Sequence, residues 1–234
     1  MATRSYRDLM SKGNGFIPSS GIFNYLDESE KKALSTKVTF MSFSRHDILF
    51  NQKMPSDHAV FIVSGLIKVY KGGRGDRLIC ISLTGPGQFA GLSSVFGSSE
   101  YRFSASAIED TEALMIRKEA IDSIIQNNGR FARELFRILS LEMLDVSEKL
   151  VNFSMKQLPG RVADLLQYFS DTVFKANDFT VPLTRQELAE LIGTTKESLI
   201  RTLNEFKNDK LIELEGKRIK ILSPDLITML SELG

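Results

Sequence analysis

A short run of side chains near residue 200 has the chemistry needed to recognise base pairs in double-stranded DNA. Its members are Lys196, Glu197, Ile200 and Arg201. A guanidinium such as that of Arg201 can donate two hydrogen bonds to guanine, and a carboxylate such as that of Glu197 can accept one from the cytosine amino group. Ile200 offers a methyl surface to thymine. These side chains can act together only if one element presents them on a single face.

The surrounding residues, 183–208, predict that element as the second helix of a helix-turn-helix. Thr184 followed by Glu187 is a capping box, which begins a first helix. Gly193 supplies the tight turn, and Thr195 is a suitable N-cap for the second helix. An apolar stripe at i, i+4 and i+7 would bury one side of this helix; it consists of Leu199, Leu203 and Phe206. The residues alone leave open a helical hairpin with no role in DNA binding.

A short hairpin is predicted directly after this motif. Residues 211–222 alternate between apolar and polar types around Glu215 and Gly216, as in the wing of a winged helix. Lys217, Arg218 and Lys220 could contact phosphates there. A solvated hairpin edge with no DNA contact is the alternative.

Residues 37–117 predict a β domain. They contain short runs rich in β-branched and aromatic residues: KVTFMSF, HAVFIV, LIKVYK, RLICISL, FSASAIE and TEALMIR. Glycine turns separate these runs, and residues 72–76 (GGRGD) have the composition of a hairpin connection. Such a pattern is typical of a sandwich, jelly roll or barrel.

Helical periodicity replaces this pattern from Lys118 onward. The segment from about Gly129 to Met155 contains no Pro or Gly after Gly129, and a helix of this length would measure roughly 38 Å. It could lie on the barrel, or it could pair with a second copy of itself in an isologous dimer. The predicted dimer contacts are Phe131, Leu135, Ile138, Leu139, Val146 and Leu150.

The sequence Leu158-Pro159-Gly160 marks a boundary, with a new helix expected from Arg161. We therefore predict three regions. They are a β-barrel domain with N-terminal helices (1–128), a dimerisation helix and hinge (129–156), and a winged helix-turn-helix domain (157–234).

Composition excludes several classes of protein. One cysteine in 234 residues cannot form an intramolecular disulfide or a four-cysteine metal site. No apolar run is long enough to span a membrane, and the first residues lack the apolar core of a signal peptide. We therefore expect a cytoplasmic protein with no membrane partner. The chain has only two histidines, and it contains no nucleophile elbow, phosphate-binding loop or paired-carboxylate pattern, so it is not expected to be an enzyme.

These segments together resemble the cyclic-AMP receptor protein / FNR (Crp–Fnr) family of transcription regulators. The strongest match is LTRQELAELIGTTKESLIRTLNEFKNDKLIELEGKRIKIL, and VSEKLVNFSMKQLPGRVADLL is similar to the end of the family's dimer helix and its hinge. The resemblance implies an α+β fold with an N-terminal jelly-roll barrel resembling a cyclic-nucleotide-binding domain. A long dimerisation helix and a C-terminal winged helix-turn-helix would follow it.

The same resemblance implies a homodimer on a two-fold symmetric operator, with half-sites roughly 34 Å apart, and RNA polymerase as a further partner. Glu197 and Arg201 match the family's base-reading pair, with Lys196 and Ile200 modulating the preference. The residues expected to hold DNA phosphates are Thr184, Arg185, Thr195, Lys217 and Arg218.

The effector region departs from the family pattern. Members that bind cyclic nucleotides have Gly-Glu-Leu and, about ten residues later, Arg-Ser/Thr-Ala, whereas this chain has Leu92 and Phe103 at the glutamate and arginine positions. A buried cyclic phosphate without a paired cation is costly, so cyclic AMP is not expected to bind. Another small molecule could occupy the pocket, or the regulator could be independent of effectors. The candidate pocket residues are Gly87, Phe89, Gly91, Leu92, Ser93, Phe103, Ser104, Ala105, Val146 and Ser147.

No metal or cofactor is predicted. The iron–sulfur cluster of the FNR branch requires N-terminal cysteines, and residues 1–30 contain none. Haem ligation stays an open alternative, with His46, His58, Cys80 and the methionines as candidate ligands. Cys80 is most simply a small core residue. A ligand-sensing regulatory subunit that does not bind DNA is the remaining alternative.

The charge distribution sharpens the DNA-binding hypothesis. The net charge is +1, but residues 158–234 hold ten Lys or Arg against twelve Asp or Glu, a net charge of −2. A DNA-binding domain with this balance depends on where its cations are placed. We therefore expect weak non-specific affinity and a shallow dependence of binding on salt.

Overall fold

The computed structural model describes residues 17–18, 20–72 and 78–234. These residues divide into two compact units. The first comprises the described residues up to Lys71 together with Leu83–Met143, and the second comprises the remaining described residues. The boundary between the two units falls between Met143 and Leu144, inside the long helix predicted for residues 129–155. The division into three regions stays a prediction.

Within the described residues of the N-terminal half, eight strands form two four-stranded sheets. The strands are β1 (Val38–Phe43), β2 (Ile48–Phe50), β3 (His58–Ser64), β4 (Ile67–Gly72), β5 (Leu78–Thr84), β6 (Phe89–Ala90), β7 (Ser104–Ala107) and β8 (Thr111–Arg117). Their orders are β1-β8-β3-β6 and β2-β7-β4-β5. All six strand runs expected from the sequence are confirmed. The predicted connection at 72–76 lies outside the described residues beyond Gly72, although β4 and β5 are sheet neighbours.

Short helices complete this half of the chain. A 3-10 turn (Gly21–Tyr25) precedes α1 (Glu28–Ser35), α2 (Leu92–Gly97) follows β6, and α3 (Lys118–Asn127) follows β8. The core between the sheets is apolar and rich in aromatic rings. The ring of Phe23 lies edge-on to Phe61, with centroids 4.8 Å apart, and Phe61 lies edge-on to Phe89 at 5.0 Å. This packing supports the predicted jelly-roll architecture.

The long helix α4 (Gly129–Met155) has the predicted bounds. Asn128 begins it, because its side-chain oxygen accepts hydrogen bonds from the backbone N–H groups of Arg130 and Phe131. Two predicted dimer contacts are wrong. Phe131 and Leu135 are buried in the hydrophobic core of their own chain, so they are not available to a second copy. Ile138 and Leu139 also pack against that core, but both are only partly buried.

The C-terminal region is a winged helix-turn-helix. Its elements are α5 (Leu158–Gln167), a π-helical segment (Tyr168–Val173), β9 (Asp178–Thr180), α6 (Arg185–Leu191), α7 (Lys196–Asn208), β10 (Ile212–Glu215), β11 (Arg218–Ile221) and α8 (Pro224–Leu233). Strands β10, β11 and β9 form one antiparallel sheet in that order.

Two features of this region differ from the prediction. Helix α5 begins at Leu158 rather than Arg161, because Pro159 occupies the first turn, where its missing N–H has no intrahelical partner to lose. Helix α8 was not predicted, since the sequence after the hairpin was expected to end the fold. It packs against α5 and buries Ile227.

Candidate nucleic-acid interface and effector region

Helix α6 begins with the predicted capping box. The Thr184 hydroxyl accepts a hydrogen bond from the Glu187 backbone N–H at 3.2 Å, and the Glu187 carboxylate accepts one from the Thr184 backbone N–H at 2.8 Å. Thr184 is exposed while Glu187 is buried. The box fixes where α6 starts and therefore where the following turn falls.

The turn and the second helix also form as expected. Gly193 has φ +64°, a left-handed conformation that disfavours residues with a Cβ. Thr195 then caps α7 by accepting a hydrogen bond from the Ser198 backbone N–H at 3.2 Å. Leu199, Leu203 and Phe206 are buried, which confirms the predicted stripe.

The four candidate base-reading residues share one exposed face of α7. Lys196, Glu197, Ile200 and Arg201 are all exposed. They occupy the first two turns of the helix, and the i, i+4 spacing of Lys196 with Ile200 and of Glu197 with Arg201 makes them neighbours. Burial of the opposite stripe leaves this face free, so it has the geometry of a recognition surface.

Two candidate phosphate contacts are tied to the protein itself. The Arg185 guanidinium donates to the carbonyl oxygen of Gly216 in the wing at 2.8 Å, and burial lowers the pKa of Arg185. Lys217 donates to the carbonyl oxygen of Pro182 at 2.9 Å. These bonds hold the wing against the entrance to α6. With these bonds formed, the side chains of Arg185 and Lys217 lie at the edge of the surface that also carries Thr184.

Arg218 is engaged more strongly. Its Nε and Nη2 donate to the two carboxylate oxygens of Asp178 at 2.8 and 2.6 Å, and its Nη1 donates to Glu215 at 3.1 Å. The pKa of Asp178 is lowered because its carboxylate accepts these bonds from Arg218. Lys220 lies 3.4 Å from a carboxylate oxygen of Glu213. Two of the wing's cations, Arg218 and Lys220, are therefore already paired with carboxylates, which the sequence pattern did not indicate.

The effector segment is built around Gly91. This residue has φ +81° and immediately precedes α2, in which Leu92 is fully buried. A Cβ at position 91 would lie 3.0 Å from the Tyr101 ring, which stacks on Phe50 with centroids 4.1 Å apart. The phenol of Tyr101 donates a short hydrogen bond to the carbonyl oxygen of His58. No sequence signal pointed to Phe50 or Tyr101 as part of this region.

Phe103 occupies the position of the family's phosphate-binding arginine and behaves as an apolar residue. It packs against the barrel core, and the Lys71 ammonium lies 5.7 Å from its ring centroid. The neighbouring Arg102 is exposed. Ser104 accepts a hydrogen bond from the Gln52 backbone N–H at 2.9 Å.

The remaining pocket candidates differ in burial. Phe89 and Ala105 belong to the barrel core, whereas Ser93 is exposed and Gly87 adopts φ +84° in a turn. Val146 and Ser147 are exposed on α4.

One turn along the same helix, Lys149 is a half-buried cation that the sequence did not single out. It donates to the carbonyl oxygen of Ile81 at 2.8 Å, and burial lowers the pKa of its ammonium.

The candidate haem ligands are scattered along the fold. His46 lies in the turn between β1 and β2 with φ 74°, His58 begins β3, and Cys80 is buried in β5. Across residues 17–18, 20–72 and 78–234, no group of three or more His, Cys, Asp or Glu side chains could hold a metal ion. None of the helices described in these ranges is long and apolar enough to cross a membrane.

Two family models match this chain. The cyclic nucleotide-binding domain matches residues 40–128, and the Crp-like helix-turn-helix domain matches residues 160–228. Together they account for the first β domain and for the winged helix-turn-helix. The matched ranges leave most of α4 between them.

Curated relatives match over most of the chain. The CRP-like cAMP-activated global transcriptional regulator of Mycobacterium tuberculosis is 28% identical over 209 residues, which cover 88% of this chain and 93% of the relative. The transcriptional activator protein FnrA of Stutzerimonas stutzeri is 28% identical over 180 residues, covering 75% of this chain and 73% of that protein.

A solved structure shows the same fold. FixK2 from Bradyrhizobium japonicum superposes with a TM-score of 0.75 at 20% identity, covering 82% of this chain and 96% of FixK2. Both domain models, the relatives and the shared fold agree with a β domain followed by a helix-turn-helix. The relatives are regulators rather than enzymes, as the sequence predicted. The chain therefore belongs to the Crp–Fnr family of DNA-binding transcription regulators.

Proposed function

We propose that this regulator acts as a homodimer on a two-fold symmetric operator. The observation that carries the proposal is a heptad seam on α4. Apolar residues recur along it at alternating intervals of three and four: Phe136, Leu139, Met143, Val146, Leu150 and Phe153. This spacing is that of the a and d positions of a coiled coil, which face a second helix.

Exposure along the seam supports this pairing. Phe136 is 72% exposed, Met143 73% and Leu150 67%, and Val146 is also exposed. Large apolar side chains in a regular row on a helix face mark an interaction surface. A second copy of α4 presents the same row, so one contact surface serves both protomers, as a two-fold dimer requires.

Each protomer would then contribute one recognition face. Arg201 and Glu197 would read base edges, while Lys196 and Ile200 would tune the preference. Thr184, Arg185, Thr195 and Lys217 would meet phosphates near the entrances to the two helices. Arg218 would do so only by exchanging its carboxylate partners for a phosphate.

The proposed effector is a molecule other than cyclic AMP. The Mycobacterium tuberculosis relative is described as cAMP-activated. In this chain, however, Leu92 is fully buried in α2 and Phe103 packs against the core. A cyclic phosphate at this position would meet an aromatic ring instead of a guanidinium, which leaves its charge without a partner. A regulator of the same fold that needs no effector is the second candidate.

The family membership supports two further parts of the proposal. They are a contact with RNA polymerase and a cytoplasmic location. Haem binding stays an alternative in which only a single one of the candidate residues would be a ligand. This is because His46, His58 and Cys80 lie on three different parts of the fold.

Selection of DNA from a randomised double-stranded pool tests the main proposal. The purified full chain should enrich a two-fold symmetric sequence whose half-sites are centred about 34 Å apart. Sedimentation of the protein–DNA complex should give two chains per operator. Enrichment of an asymmetric sequence bound by one chain would contradict the homodimer. Failure to enrich any sequence would favour a form that binds DNA only together with an effector. Repeating the selection in the presence of small molecules from a cell extract would separate an effector-dependent regulator from a protein that does not bind DNA.

A further inference from the structure

The turn of the helix-turn-helix is held by an arginine from α5. The Nη1 of Arg161 donates to the carbonyl oxygen of Ile192 at 2.8 Å and lies 3.5 Å from that of Gly193. Ile192 ends α6, where carbonyl groups lack intrahelical partners. A guanidinium at this end of a helix therefore satisfies the carbonyls and complements the helix dipole. It also fixes the turn from which α7 departs, three residues after Gly193.

The same guanidinium contacts the end of the dimer helix. It lies over the ring of Phe153, with 5.7 Å between the guanidinium carbon and the ring centroid. A Cβ built on Gly193 would lie 3.5 Å from the Phe153 ring and 3.6 Å from Arg161 Nη1. Phe153, Arg161 and Gly193 thus pack at one point, and Phe153 is also the last position of the α4 heptad seam.

The environment restricts Arg161 to this pose. Among the described residues, its Nε–H is the one buried side-chain polar atom without a hydrogen-bond partner. An N–H group left unpaired in this way is unfavourable, which means that the remaining contacts hold the guanidinium in place. A planar fork that stacks on a ring while it donates to carbonyls has little freedom to reorient.

We propose that Arg161 is a positioning residue that sets the separation of the two recognition helices and therefore the half-site spacing that the dimer accepts. This inference rests on the proposed homodimer. In that dimer, Phe153 lies at the seam between the two α4 helices. Arg161 joins it to the turn that starts α7. Any change in the angle between α4 and α7 is applied twice, once in each protomer.

The scale of DNA makes the spacing sensitive to this angle. Successive base pairs are about 3.4 Å apart along the helix axis. One extra base pair would therefore move each half-site outward by less than 2 Å and rotate the two half-sites relative to each other by about 35°. To follow it, the two recognition helices must change both their separation and their relative angle. A rigid contact at Arg161 favours one spacing, whereas a loose one tolerates neighbouring spacings.

The test measures spacing preference in the full chain. The operator selected by the wild-type protein is compared with the same operator carrying one extra central base pair. For Arg161→Met, which keeps an unbranched stem but removes the guanidinium and its donors, the ratio of the two dissociation constants should fall by about tenfold, or about 1.4 kcal/mol. Phe153→Leu keeps an apolar seam residue but removes the ring, and it should lower the ratio in the same direction. Arg161→Lys retains a cation and a donor, so it should restore part of the preference.

Lys156→Met is the matched control. Lys156 lies five residues before Arg161, between α4 and α5, but its ammonium pairs with the Asp164 carboxylate at 2.7 Å rather than with the turn. Its loss should leave the spacing ratio unchanged. Thermal unfolding and sedimentation check that each variant is a folded dimer. If Arg161→Met does not fold, the spacing ratio of Phe153→Leu still tests the proposed contact.

An unchanged ratio in folded Arg161→Met and Phe153→Leu dimers would overturn the positioning role while leaving the proposed function intact. A wild-type protein that binds no operator, either alone or with small molecules from a cell extract, would instead overturn the proposed function itself.

Discussion

Arg218 and Asp178 form a two-bond ion pair across adjacent strands of the winged sheet. Nε and Nη2 of the guanidinium donate to the two oxygens of one carboxylate at 2.8 and 2.6 Å. Arg218 on β11 lies directly opposite Thr180 on β9, so Asp178 is two residues along β9 from the opposed position and on the same face of the sheet. The wing therefore presents a neutralised cation to DNA, which agrees with a domain whose net charge is −2.

Asp178→Asn should strengthen DNA binding. The substitution removes a negative charge and frees Arg218 to meet a phosphate, so the slope of log affinity against log salt should become steeper by up to about one unit. Affinity measured across a salt series checks this. Asp225→Asn in the first turn of α8 is the control, since it changes the net charge equally without releasing an arginine. Equal effects of the two variants would show that only bulk charge matters.

Arg201→Ala should weaken operator binding, relax the base preference at one position of each half-site and leave the fold intact. Loss of a two-bond contact to guanine costs about 1–3 kcal/mol of discrimination, and relaxed preference should be confined to one position in each half-site. The loss of discrimination is measured from the affinity of the variant for the selected operator and for operators with single base-pair substitutions, at ~0.15 M salt. Lys207→Ala, in the last turn of the same helix, should leave the preference unchanged. An unaltered isotherm for Arg201→Ala would refute its role.

Charge on the α4 seam should separate the protomers. Phe136→Glu or Leu150→Glu places a carboxylate in the proposed dimer contact, where burial without a partner is unfavourable. Sedimentation should show folded monomers with weak affinity for DNA. Leu135→Glu should instead lower the free energy of unfolding, because that side chain is buried in the core of its own chain. A folded, dimeric Phe136→Glu variant would contradict the seam.

Cyclic AMP should not bind the wild-type protein. The phosphate would face Phe103, and Leu92 offers no acceptor for a ribose hydroxyl. Isothermal titration calorimetry should show no saturable heat, both in the free protein and in its complex with DNA. Micromolar affinity with Phe103 intact would disprove this expectation.

Tyr101 should ionise later than an ordinary tyrosine. Burial raises its pKa from 10.0 to about 12, with the charge of Asp57 adding to the effect. The folded state therefore holds a proton that the unfolded state loses above pH 10. The stabilising contribution is complete below pH 10 and disappears as the pH approaches 12.

Tyrosinate absorbance and urea unfolding across this interval measure the effect against Tyr101→Phe. The variant should lack the late-titrating phenol, and its stability should decline less between pH 10 and 12 than that of the wild type. Identical titration curves for the two proteins would show that Tyr101 is not protected.

Much of the fold follows from local sequence rules. Thr184 and Glu187 are three residues apart, and a capping box depends only on such neighbours. Gly193 and Thr195 likewise act within one turn of the chain. The six strand runs were recognised because β-branched and aromatic residues alternate between glycine turns.

Tertiary packing decided what local rules could not. Phe131 and Phe136 are both aromatic residues of α4, but the first is buried in the barrel core and the second is exposed. Their local sequence contexts are alike. The position of the sheets therefore decides which of the two rings is buried. Once the buried residues of α4 are known, the exposed apolar residues that form the proposed seam can be identified.

The recognition residues were determined by the sequence itself, because their spacing on α7 relative to a buried stripe is a property of one helix. The pairing of Arg218 with Asp178, the stacking of Tyr101 on Phe50 and the contact of Arg161 with Ile192 were decided only by the tertiary structure. Each joins residues that are more than 30 positions apart. Such contacts depend on how separate elements meet, and periodicity along a single element carries no information about that meeting.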